Sequence, residues 1–253
     1  MDGTRTRVSA TALLLIATAV TGCRHAGRTD DDSSPALAAA PALLPRAGQL
    51  LITTDNGVRL RPTDDRRATV DGHLRSHWSR NGATWVLDLA CPDHDPDATP
   101  CTRMPTVGVP AGTAVTVTAR NAGIDATGLT GALDLTTTNG DVTVAQGGDS
   151  QATVRLTTRN GSVRATALQA AHLHARTVNG DVVLACASPP SDVTAATTNG
   201  SVRLTLPRNA PAYAVDATTD NGHPTVTLPT TTPSPDHHLT LTTVNGDISA
   251  TRD

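Results

Sequence analysis

The sequence predicts an all-β protein, a single-stranded parallel β-solenoid with a less regular N-terminal β cap. Three observations carry this. The 253 residues include 43 Thr but no Lys, no Glu and no Phe, an alphabet that favours strands over helices. Asn-Gly recurs through the second half at Asn139, Asn160, Asn179, Asn199, Asn221 and Asn245, in steps of 21, 19, 20, 22 and 24 residues. Apolar residues alternate with polar ones on both sides of each Asn-Gly, the period of a half-buried strand. A helix bundle and a coiled coil are excluded. The net charge of −3 gives no broad electrostatic drive toward nucleic acid.

The N-terminus reads as an address. Met1 to Arg7 is short and basic, and Val8 to Val20 is an apolar run of 13 residues. That suits a signal-peptide core and is shorter than the ~20 residues of a membrane-spanning helix. Val20-Thr21-Gly22-Cys23 follows and resembles the bacterial lipobox, in which the Cys takes a diacylglyceryl group and becomes the new N-terminus. Residues 1–22 are therefore expected to be a lipoprotein signal peptide and Cys23 the lipidation site. Two acyl chains, at roughly 0.8 kcal/mol per buried CH₂, would anchor the chain firmly. Residues 23–48 carry Asp30-Asp31-Asp32 and then Pro35, Pro41 and Pro45 in an Ala-rich run, and read as a disordered tether.

Residues 49–106 read as an irregular β cap. In LLITTDNGVRLRP, Val58 and Leu60 stand out of phase with the later repeats. Trp85, Leu87, Leu89 and Cys91 alternate as one strand, and Trp78 and Trp85 are expected to cover the open end of the core. Cys91 and Cys101 bracket nine loop-like residues and are expected to form a disulfide, because a metal site with His94 matches no zinc spacing. Cys186 is left over on an inward-facing strand position.

Residues 107–253 read as the solenoid repeats. Two residues before each Asn stands Thr: Thr137, Thr158, Thr177, Thr197, Thr219 and Thr243. Four before, six before, three after and five after stand mostly Leu, Val, Ile and Ala. Each repeat is thus two strands joined at an Asn-Gly corner, where Gly supplies the unusual backbone. An array of antiparallel hairpins fits the same spacing, with Thr137 opposite Val142. Identical residue types at identical offsets favour stacked coils instead. Ladders of Thr137, Thr158, Thr177 and Thr197 and of Asn139, Asn160, Asn179 and Asn199 are then expected along the axis.

The units LDLTTTNGDVTV, VRLTTRNGSVRA and LTLTTVNGDISA resemble the toastrack, or candidate-adhesin, domain of bacterial envelope proteins, over roughly Leu50 to Asp253. The resemblance implies a right-handed β-helix, often lipid- or membrane-attached, with no established catalytic residues.

Chemistry is sparse. Asp141, Asp181 and Asp247 share one corner position, with Ser162, Ser201 and His223 in the other repeats. Stacking would hold Asp141 and Asp181 on the order of 10 Å apart, at the upper end of the spacing for inverting glycosidases. Asp also simply suits an exposed turn. His172 and His174 flank Leu173 and point outward together, two potential metal-ligating side chains whose further partners the sequence does not identify. No catalytic residue, metal or cofactor is expected. The expected role is binding, adhesion or structure at the extracytoplasmic face of the cell membrane, held there through lipid on Cys23. Its partner would be an envelope protein or glycan and not nucleic acid. The rival readings are a polysaccharide-acting enzyme and a partner in envelope-stress sensing.

Overall fold

Alternation decides the regular strands. In Leu133–Thr137 the side chains of Leu133, Leu135 and Thr137 are buried, while Asp134 and Thr136 face out. The computed structural model describes residues 38–39, 48–71, 76–89, 104–231 and 236–253, all within the unit Pro35–Asp253. Cys23, Cys91 and Cys101, and with them the expected lipidation and disulfide, lie outside the described residues.

The described residues form 21 strands and no helix. First come β1 (Ala38–Ala39), β2 (Gln49–Thr54), β3 (Val58–Thr63) and β4 (Thr69–Val70). They are followed by β5 (His77–Asn81), β6 (Thr84–Asp88) and β7 (Thr106–Pro110). The regular repeats then run in pairs: β8 (Ala114–Ala119) with β9 (Ile124–Thr127), and β10 (Leu133–Thr137) with β11 (Val142–Ala145). Next are β12 (Thr153–Thr157) with β13 (Val163–Leu168), and β14 (His172–Arg176) with β15 (Val182–Cys186). The last are β16 (Asp192–Ala196) with β17 (Val202–Leu206), β18 (Ala214–Asn221) with β19 (Pro224–Val226), and β20 (His238–Asn245) with β21 (Ile248–Arg252).

The two strands of each pair lie in different sheets, and from β8 to β17 like strands of successive pairs lie side by side in parallel. Leu133 aligns with Val154, Val154 with Leu173 and Leu173 with Val193. The fold is a parallel β-solenoid. Hairpin pairing of Thr137 with Val142 does not occur, because β10 and β11 belong to separate sheets. A seam built mainly of Leu, Val, Ile and Ala fills the space between the sheets. Each buried Leu or Val in it contributes about 1.5–3 kcal/mol relative to exposure.

The order of coils in space is not their order in the chain. One sheet runs β18-β20-β16-β14-β12-β10-β8-β2-β6-β5, and the other runs β1-β4-β7-β3-β9-β11-β13-β15-β17-β21-β19. At the N-terminal end, the coil of β6 and β7 lies outside the coil of β2 and β3. At the other end the last coil, β20 and β21, is inserted between β16/β17 and β18/β19. The chain overshoots by one coil and then fills the gap it left.

Within residues 49–106 one stretch joins the regular stack. Gln49–Thr63 forms a regular coil in register with β8 and β9, Leu50 beside Val115 and Val58 beside Ile124. The phase shift of Val58 and Leu60 has a local cause. Asn56-Gly57-Val58 turns the corner with one residue fewer than Asn139-Gly140-Asp141-Val142, so the strand behind it keeps its buried face. Beyond β6 and β7 the pairing turns antiparallel, with β5 on β6 and with β4 on β7 and β1 on β4. Trp85 is buried in that end coil, and Trp78 packs on the core from β5. At the opposite end Tyr213, fully buried, donates its hydroxyl to the Pro190 carbonyl at 2.8 Å. Pro224 sits in the outermost strand β19, where a missing N–H blunts the open edge.

Candidate functional site: the Asn-Gly corner

Each corner is built from four residues whose types are dictated by the coil beneath. The Thr two before Asn turns inward, and its hydroxyl donates to a backbone carbonyl of the neighbouring coil. Thr158 reaches Gly140, Thr177 reaches Gly161 and Thr197 reaches Gly180, each at 2.8 Å. Thr137 donates to Ala122, Thr243 to Gly200 and Thr219 to Gly246 in the same way. Thr137, Thr158, Thr177 and Thr197 are all buried, so each hydroxyl needs this partner and each carbonyl gains one. Replacing Thr177 by Val keeps the volume but leaves the Gly161 carbonyl short of its donor. We expect a loss of about 1–2 kcal/mol in urea unfolding, against a few tenths for Thr194→Val on the outer face.

The Asn side chains form an exposed ladder. Asn160 donates its amide N–H to the Asn139 carbonyl oxygen at 2.9 Å, Asn179 to Asn160 and Asn199 to Asn179 at the same distance. The inserted coil continues the line, since Asn245 donates to Asn199 at 2.8 Å and Asn221 to Asn245 at 2.9 Å. Every interior amide uses one donor and one acceptor along the ladder, so a second N–H and a second lone pair remain for solvent.

The Gly column makes the corner possible. Gly180 has φ +147°, and a Cβ there would overlap the carbonyl of Gly161. Gly161, Gly200 and Gly246 repeat the same close approach.

The corner carboxylates are occupied by the backbone. Asp141 Oδ1 accepts the Ser162 N–H at 2.8 Å, Asp181 Oδ1 the Ser201 N–H at 2.9 Å and Asp247 Oδ1 the His223 N–H at 2.9 Å. The Ser162 and Ser201 hydroxyls accept in turn from Asp181 and Asp247, both at 3.3 Å. Asp141 also faces Arg164 at 3.3 Å. Asp and Ser therefore alternate as interchangeable acceptors in one lateral row. This arrangement holds coils together; it does not present a pair of carboxyls across a bond to be cut.

A family model described as Toastrack DUF4097 matches residues 112–251, more than half of the chain. The chain belongs to the Toastrack family. The matched stretch contains every Asn-Gly corner from Asn139 to Asn245, so the toastrack repeat and the ladder cover the same residues. Solved structures that align with this toastrack chain include a candidate cell adhesion protein from Clostridium sporogenes, 8% identical. That alignment covers 87% of this chain and 100% of the other, with a TM-score of 0.35. Another is a candidate adhesin from Bacteroides fragilis, 14% identical over 87% of this chain and 98% of the other, with a TM-score of 0.39. No curated protein matches.

Two further features of the toastrack chain escape the repeat pattern. Arg61 grips Asp125 with both guanidinium nitrogens, at 3.2 and 2.9 Å, and Arg59 adds a contact at 3.5 Å. The Arg61 hydrogen bonds, aided by both positive charges, hold the Asp125 carboxyl below its usual range despite partial burial. A depressed carboxylate stabilises the fold above the unfolded-state pKa, and that contribution disappears as pH falls through the folded value. With a third of each side chain exposed it remains small, ~1 kcal/mol or less. Arg59 and Arg61 lie in the stretch whose phase looked wrong, which hid their partner. The second feature is Cys186, a buried free thiol that burial pushes up to about 12. A shallow depression of about 180 Å³ over β8, β10 and β12 holds the Asp134–Arg155 ion pair. Ligand pockets usually enclose roughly 300–1,000 Å³, so it is too small for one.

Proposed function

We propose that this chain is a lipid-anchored binding or adhesion module of the bacterial envelope, displayed on the extracytoplasmic face and not catalytic. One observation carries the reading. The polar corner is a straight row of mutually bonded Asn amides, rigid in backbone and side chain, with donors and acceptors left over at each step. Such a row suits repeated polar contacts with an extended partner such as an envelope glycan or protein, at little ordering cost on this side. The corner carboxylates, committed to backbone N–H groups, support binding over hydrolysis.

The test is cosedimentation of the full chain with isolated cell-wall polysaccharide. Saturable retention without new reducing ends supports the binding reading, and steady release of reducing ends favours an enzyme. Saturable retention should also weaken for Asn160→Ala/Asn179→Ala.

The anchor belongs to the same proposal and rests on the apolar run and Val20-Thr21-Gly22-Cys23. Cells fed a fatty-acid analogue should label the wild-type chain and leave Cys23→Ala unlabelled and released from the membrane. Label that persists in Cys23→Ala would overturn it. An oxidising compartment also suits a Cys91–Cys101 disulfide, which peptide mapping without reductant would reveal.

A further inference from the structure

We propose that the outer face of β14, β16 and β20 carries a binding site for a zinc-class divalent cation, formed by His172, His174, Asp192 and His238. The strand register supplies partners that the chain order conceals. His172 aligns with Asp192, and Asp192 aligns with His238, so three potential metal-ligating side chains stand in one row on three adjacent parallel strands. All three point outward, since Leu173, Val193 and Leu239 beside them are the buried residues. His174 stands two residues along β14 from His172 and shares its face.

The dimensions suit one ion. Adjacent strands are about 4.8 Å apart, so a cation above Asp192 lies about one strand spacing from the stem of either flanking imidazole. His174 approaches from the side, completing three nitrogens and one oxygen, a donor set suited to tetrahedral Zn²⁺. Neutral residues flank the row, Thr153 beside His172 and Ala214 beside His238. Arg155, the cation next to His174, is turned to Asp134 at 3.5 Å. Among the described residues Asp192 has no ion-pair partner. His237 is engaged elsewhere, against the Tyr213 ring and the Pro190 carbonyl, and is not part of the set. As folded, no three such side chains converge on a point among the described residues. His172 and His238 are exposed, and rotation about their side-chain bonds closes the site without moving a strand.

The position gives the ion a structural consequence. His238 opens β20, the strand inserted between β16 and β18, so the cation would pin the inserted coil to two coils laid down before it. The fold would hold its last coil more tightly when metal is present.

Zinc alone is the probe, titrated into the full chain against a chromophoric zinc indicator, with thermal unfolding followed in parallel. One equivalent should bind and raise the melting temperature. In His172→Ala/His238→Ala that equivalent and the thermal shift should both vanish, while melting without zinc stays unchanged because both side chains are exposed. Asp192→Asn should weaken binding by roughly tenfold or more. Cys91→Ser/His94→Ala/Cys101→Ser, which removes the candidate ligands of that loop and leaves no unpaired thiol there, should bind as the wild type does. X-ray absorption of the zinc-loaded chain should show imidazole scattering and no sulfur. Absence of a bound equivalent in the wild type, or its survival in His172→Ala/His238→Ala, would overturn the proposal.

Discussion

Gly180→Ala is expected to lower the melting temperature by about 4–24 °C, and the other glycines of the column should behave alike. Two costs combine. The backbone at φ +147° is one that a side chain opposes, worth ~1–3 kcal/mol. The new Cβ must also displace the Gly161 carbonyl, which accepts the Thr177 hydroxyl. Overpacking of this kind costs about 1–3 kcal/mol. A kilocalorie shifts melting by roughly 2–4 °C at this size, which gives the range above. Gly82→Ala is the control, because Gly82 also has positive φ (+60°) but nothing lies within 4 Å of the added Cβ. It should cost about 1 kcal/mol, from backbone preference alone. Equal effects at the two positions, measured by thermal unfolding, would mean that coils do not press together at the Gly column.

A chain ending at Pro235 is expected to lose two coils, although only one is deleted. β18 pairs only with β20 and β19 only with β21 among the described strands. Without the inserted coil, Ala214–Val226 has no partner, and a repeat cannot bury its face alone. Hydrogen exchange in Ala214–Asn221 should approach that of unfolded chain, while β10 to β15 keep their protection. Had the last coil been stacked outermost, the deletion would leave β18 protected. Slow exchange at Val215 and Ala217 in the shortened chain would therefore contradict the coil order.

The repeat was legible because its parts are local. Thr, Asn and Gly at fixed offsets encode a corner, and alternation encodes which face is buried; both survive in a single sequence. Coil order is not encoded that way. The Asn221 and Asn245 repeats both carry the Thr, Asn and Gly of a corner, and nothing in their periodicity says that Asn245 precedes Asn221 along the axis. Of the units from Asn139 to Asn245, the Asn221 unit alone has a Pro, Pro224, in the strand after its corner, and its position at the edge explains why that is tolerated. The first coil was hidden by a single missing corner residue, which shifts every later offset while leaving the strand intact. The same limit hid the histidine row. Asp192 and His238 are far apart in the chain and meet only because the last coil is inserted. Sequence spacing could place His172 with His174 and no further.

The stack of coils, with its last member inserted, is the central claim, and paired cysteines on the Asn ladder test it most directly. Neighbours in the column lie about 4.8 Å apart, inside the 4.4–6.8 Å range that a disulfide spans, whereas next-but-one neighbours at about 10 Å lie outside it. Asn199 adjoins Asn245 and not Asn221. Under mild oxidation, Asn199→Cys/Asn245→Cys should form the cross-link, read by peptide mapping, and Asn199→Cys/Asn221→Cys should stay reduced. A cross-link between positions 199 and 221, with none between 199 and 245, would contradict the fold as described.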